Sequence, residues 1–175
     1  MKYLYSSDDL AVYLLISNFP VSEEKRILTR LWEQQNSAIL PEHRTSKNLF
    51  KSTVYNDLSK YDCTFDDLDE LNLLMQGMDN CYIDGPVYEQ NVIESFFKLI
   101  KLQLTYTPDK VYRKIKLRTL LGRFGYERRS ANLIGYIDEA LKSLGLVTYL
   151  RGHVLCNLVE IKLDDTVIIR FQVHL

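Results

Sequence analysis

At 175 residues, 46% of them hydrophobic, and with a net charge of −1, the chain carries enough apolar mass for one ordinary domain or two small ones, which excludes a disordered polymer. Seven Gly and four Pro are too few for long flexible linkers, and Cys63, Cys81 and Cys156 stand far apart with no CxxC pair, arguing against a disulfide framework or a zinc site and for a reducing compartment. The apolar run ending at Ile16 is short and preceded by Asp8 and Asp9, so it reads as neither signal peptide nor membrane span; the expectation is a soluble cytoplasmic protein with no membrane contact.

In chain order, Ser6 or Ser7 before Asp8 and Asp9 predicts a helix start, with Leu10, Tyr13, Leu14 and Ser17 along one side. Phe19-Pro20 interrupts it, because a residue before proline avoids the helical region. Ser22 is the expected cap of a second helix, with Glu23 and Glu24 favourable against its dipole, Ile27, Leu28 and Leu31 on its apolar face and Trp32 as an anchor. A loop containing Pro41 leads to a third helix over 45–61 through Leu49, Phe50, Val54 and Leu58. Thr64 and Asp67 form a capping arrangement for a fourth helix over 65–76, ended by Gly77, and Asp84-Gly85-Pro86 marks a turn. Val92, Ile93, Phe96, Phe97, Ile100 and Leu104 pattern a fifth helix over 87–104. Pro108 sits in the best linker of the chain, so two parts are expected: a helical domain over 1–107, for interaction or dimerisation, and a second domain over 108–175.

The stretch 113–150 reads as helix, tight turn, helix and strand. Leu117, Leu120, Leu121 and Phe124 take helical spacing, and Gly125 offers a left-handed stop. Leu133, Ile134, Ile137, Leu141 and Leu144 form a second periodic run, closed by Gly145. Further on, Val159, Ile161 and Leu163 alternate with polar residues, as do Val167, Ile169, Phe171 and Val173, which predicts a C-terminal β-hairpin turning at Asp164, Asp165 and Thr166. That register faces Val159 with Phe171, Ile161 with Ile169 and Glu160 with Arg170. Helix, turn, helix and hairpin in this order resembles the winged helix-turn-helix family of DNA-binding domains over the last third of the chain, a resemblance of pattern and not of an invariant signature. The expected fold is mainly α, a helical N-terminal part followed by a winged helix-turn-helix with a C-terminal β-hairpin.

The charge is divided. Asp62, Asp66, Asp67, Asp69, Glu70, Asp79, Asp84, Glu89 and Glu94 fall in 61–94 without a Lys or Arg, whereas Lys110, Arg113, Lys114, Lys116, Arg118, Arg123, Arg128 and Arg129 crowd 110–129 against Glu127 alone. A basic surface of this kind suits a polyanion. In the second helix of the motif, the side opposite the apolar stripe presents Asn132, Gly135, Glu139 and Lys142, with Arg128 just ahead. Arg and Asn have the geometry to read guanine and adenine edges, and a mid-helix Gly is explained by a close approach to a nucleic-acid backbone or by tight helix packing. The resemblance implies that this helix enters the major groove of duplex DNA. The expected DNA-binding set is Lys114, Lys116, Arg118, Arg123, Arg128, Arg129, Ser130, Asn132 and Tyr136, in a transcriptional or accessory regulator without cofactor, metal or catalytic residues.

Two other readings stay open. The acidic segment 62–94 could bind a protein partner in a non-catalytic interaction module, or the helical part could form a homodimer. Glu160-Ile161-Lys162 is the E-x-K triplet of many metal-dependent nucleases, yet no upstream acid stands on a neighbouring predicted strand to share a divalent ion. His43, His153 and His174 show no HxxE or HExxH spacing, and no GxSxG, Walker-type or GxGxxG motif occurs.

Overall fold

A computed structural model describes residues 3–61, 86–152 and 154–172. The protein is mainly helical with one small three-stranded antiparallel sheet. It divides into two compact units, Met1–Leu74 and Met75–Leu175. Among the described residues no helix is long and apolar enough to cross a membrane.

The first unit contains α1 (Ser7–Ser17), α2 (Val21–Gln34) and α3 (Lys47–Leu58). A reciprocal cap opens α1: the Ser6 hydroxyl accepts from the Asp9 amide at 3.0 Å, and the Asp9 carboxylate accepts from the Ser6 amide at 2.9 Å. At α2 the cap is Pro20, not Ser22; its carbonyl accepts from the amides of Glu23 and Glu24, which leaves Ser22 inside the first turn. Ile27, Leu28 and Leu31 are buried as the periodicity requires, and the half-buried Trp32 donates its indole N–H to the Thr45 carbonyl at 3.2 Å. The third helix begins later than its pattern suggests, capped by Ser46; Phe50 and Val54 are buried while Leu49 is exposed. α1 and α3 pack together. The helix expected over 65–76 and the turn at Asp84 and Gly85 lie outside the described residues.

In the second unit Pro86 opens a long helix, α4 (Pro86–Tyr106), where its missing N–H costs nothing. α4 runs two residues past its expected end and buries Val92, Ile93, Phe96, Phe97, Leu99, Ile100, Leu102 and Tyr106. Phe96 and Phe97 meet Phe124, with ring centroids 5.4 and 6.4 Å away, and α4 packs on α6 (Ala131–Leu144). Through these contacts α4 shares its core with the chain that follows it, within the second unit.

Residues 113–116, read from sequence as part of a helix, form strand β1 (Arg113–Lys116), ahead of α5 (Leu117–Arg123). Only Ile115 of the four is buried, the period of a half-covered strand, and β1 pairs with β3 (Thr166–Phe171), which also pairs with β2 (Leu146–Tyr149) in the order β1-β3-β2. Ile115, Leu146, Thr148, Val167 and Ile169 make the buried face. Gly125 and Gly145 take the left-handed values φ 79° and 69° that end α5's turn and α6.

The hairpin differs from expectation. Residues 159–163 are not a strand; the Asn157 side chain accepts from the Val159 amide and donates to Glu160, making a turn that leaves Val159 exposed and Leu158 and Ile161 buried. Phe171 therefore faces Leu146, Arg170 faces Val147, and Ile169 lies between Arg113 and Thr148. The strand β2 instead turns at Arg151-Gly152, and Cys156 returns to bond the Thr148 carbonyl at 3.0 Å.

Candidate nucleic-acid interface

The helix α6 is well specified. Ser130 caps it by accepting from the Leu133 amide at 3.1 Å. Leu133, Ile134, Ile137, Ala140, Leu141 and Leu144 are buried, and Asn132, Gly135, Glu139 and Lys142 are exposed, as the sequence pattern requires. Arg128 lies just ahead of the cap, exposed, and makes no hydrogen bond or ion pair among the described residues; the same holds for Asn132 in the first turn. A Cβ added at Gly135 would meet nothing within 4 Å, so tight packing is no reason for this glycine among the described residues. Tyr136 flanks this side, half-buried.

The remaining members of the expected set are distributed over other tasks. Arg129 points its Nη1 at three main-chain carbonyls, those of Leu158 at 3.0 Å and of Val159 and Ile161 at 2.6 Å each, and so fastens the turn around Asn157. Arg118 makes a two-point ion pair with Asp164 at 3.1 and 3.2 Å, whose hydrogen bonds hold the Asp164 carboxyl below its ordinary range. The guanidinium of Arg123 lies 5.7 Å from the centroid of the Phe96 ring, against the aromatic cluster. Ser130 is occupied as a cap. Lys114 and Lys116 are exposed on β1, away from the buried side of the sheet.

What a cation can offer a phosphate thus falls to fewer side chains than the linear clustering suggests. Arg128, Lys114 and Lys116 are exposed and without an ion pair among the described residues, whereas Arg118 and Arg129 are committed to intramolecular acceptors. Sequence reasoning passed over Tyr149 and Arg170, which share the outer face of the sheet with Lys114, because reading 113–116 as helix removed β1 from the sheet.

The other motifs resolve simply. Glu160 and Lys162 sit in turns, not on a strand, and the Asp165 carboxylate accepts from the Lys162 amide at 2.8 Å. Of the acidic segment, Glu94 pairs with Lys98 one turn further along α4 at 2.8 Å; residues 62–85 lie outside the described residues, as do Cys63 and Cys81. No protein-family model, no curated protein and no solved structure matches this chain.

Proposed function

We propose that the second unit is a winged helix-turn-helix that binds duplex DNA through α6, as part of a cytoplasmic transcriptional or accessory regulator. The support is the order of elements, helix, strand, helix, helix and two strands, with β1 and β2 on either side of β3. The observation that carries the reading is the outward side of α6: Asn132 and Arg128 stand uncommitted at its N-terminal end beside Gly135, whose missing side chain serves no internal contact among the described residues. Arg and Asn are suited to base edges, and a helix without a side chain at that point admits a close backbone. On this reading residues 154–165, whose turn Arg129 holds, serve as the wing.

Salt dependence tests it. Each phosphate neutralised contributes about −0.9 to the slope of log affinity against log salt, so the three uncommitted cations predict a slope of about −3, where the six clustered Lys and Arg of the expected set would give about −5. Fluorescence polarisation with random duplex DNA reads this slope directly. Absence of binding at low salt would overturn the proposal and turn attention to a protein partner.

A further inference from the structure

Apart from Lys114, whose charge duplex binding also draws on, the outer face of the sheet carries an arrangement that recognition by α6 leaves unused. The register sets Lys114 of β1 and Tyr149 of β2 on either side of Ile168 in β3, with Arg170 two residues along the same face. Together with Tyr112 and Arg151 they line a cleft of about 170 Å³ whose lining, among the described residues, includes no carboxylate. Lys114 Nζ lies 5.0 Å from the centroid of the Tyr112 ring, and the Arg170 guanidinium carbon lies 4.2 Å from that of Tyr149. Arg170 Nε is buried and has no hydrogen-bond partner among the described residues. Among the described residues, three cations therefore gather in one small concavity without an acid, and one buried donor has no acceptor. The rings compensate the charge only in part, since they supply a quadrupole and no anion.

We propose that this cleft binds a single nucleoside phosphate unit. Its phosphate oxygens would accept from Arg170 Nε and pair with Lys114 and Arg151, while the base lies against the tyrosine rings and Ile168. The space equals about five or six water volumes, below the roughly 300 Å³ at which pockets for larger ligands begin, so the cleft encloses part of the unit and the rest lies along the open outer face of the sheet. A base inside a duplex is shielded on both faces, so the base that enters here is unpaired. Such a unit comes either from a free nucleotide or from an unpaired position in a strand, and the chemistry of recognition is the same: stacking on aromatic and guanidinium planes with cations on the phosphate. The inference does not depend on duplex binding by α6.

The test uses the whole chain, with adenosine 5′-monophosphate, inorganic phosphate and a short fluorescein-labelled single-stranded oligonucleotide as probes. Affinity is measured for each, and the Arg170 Nε–Hε resonance is followed by ¹⁵N NMR. The mononucleotide and the oligonucleotide are expected to move that resonance, and Arg170→Met, Tyr149→Leu and the double variant Lys114→Gln/Arg151→Gln are each expected to weaken both about tenfold. Lys114 and Arg151 are exposed, so the double variant keeps the fold and decides the matter if Arg170→Met does not. Tighter binding of the oligonucleotide than of the mononucleotide identifies a strand as the source; equal or weaker binding identifies the free nucleotide. An unmoved Arg170 resonance, full affinity in the double variant, or inorganic phosphate binding as well as the mononucleotide would each overturn the proposal. The Arg128→Ala/Asn132→Ala chain is expected to retain both probes, which separates this cleft from the face of α6.

Discussion

Replacing Arg129 by Ala removes a side chain that spans from the start of α6 to the turn at 157–162. Its Nη1 carries two protons and faces three carbonyls at 2.6–3.0 Å, so it supplies between one and two full charge-assisted hydrogen bonds. At about 1.5–3 kcal/mol for each bond to a charged group, and with the exposed Val159 end of the turn regaining water, the expected loss of stability is about 2–3 kcal/mol. Urea unfolding measures it, and amide exchange at Glu160 and Ile161, whose N–H groups both bond the Asn157 carbonyl, should report the loosened turn first. Arg129→Lys keeps the charge but loses the planar fork, and should recover less than half of the loss. Because this guanidinium is occupied by carbonyls, its removal should leave the salt slope of duplex binding unchanged. A stability change below about 0.5 kcal/mol together with a slope shallower by about 1 would refute the reasoning and return Arg129 to the phosphate-contacting set.

Gly135→Ala meets open space in a helical conformation, so it should raise stability by about 0.5–1 kcal/mol while weakening duplex binding; a stabilised variant with unchanged affinity would show that no backbone approaches there. In the first unit, burial raises the carboxyls of Asp8 and Glu24 above their ordinary values of 3.8 and 4.5. The folded state thus holds these protons more tightly than the unfolded chain, and the stabilisation is complete below the ordinary values and lost as pH rises through the raised ones. Stability should therefore increase as pH falls from neutral toward those raised values, and Asp8→Asn with Glu24→Gln should flatten that rise in chemical denaturation. The introduced amide oxygen would still accept from the Tyr61 hydroxyl, which now donates to Asp8 at 2.9 Å. Below 3.8 the opposing contribution of Asp57 takes over: although burial alone would raise its carboxyl, hydrogen bonds from Lys60 and Ser7 bring it below its ordinary value, so its stabilisation is lost in acid.

Elements whose causes are local were legible in the sequence. α6 announced itself through a stripe and a terminal glycine, and both operate as read: the apolar stripe is buried and Gly145 takes φ 69°, whereas Ser130, expected among the DNA contacts, bonds the Leu133 amide as the cap. Its exposed side followed by the same geometry. What escaped depends on partners distant in the chain. β1 is only four residues long and is a strand because β3, some fifty positions on, pairs with it; alone, RKIK carries too little periodicity to be told from a helix start. Val159, Ile161 and Leu163 alternate like a strand, yet the Asn157 side chain closes a local turn that competes with strand geometry. Arg129 shows the limit for the site: its acceptors are main-chain carbonyls about thirty residues away, which no side-chain pattern reveals, so it resembled its neighbour Arg128 until the fold separated them. The packing of α4 escaped for a similar reason, since its Phe96 and Phe97 find Phe124 only in three dimensions.

In the proposed function, uncommitted side chains at the start of α6, with the exposed lysines of β1, meet the DNA backbone. This contact is tested most directly by the salt dependence of random-duplex binding for the native chain and for Arg128→Ala, read side by side by fluorescence polarisation. A slope near −3 is expected for the native chain, falling to about −2 in the variant, with weaker binding at every salt concentration. Identical slopes and affinities in the two chains would contradict it.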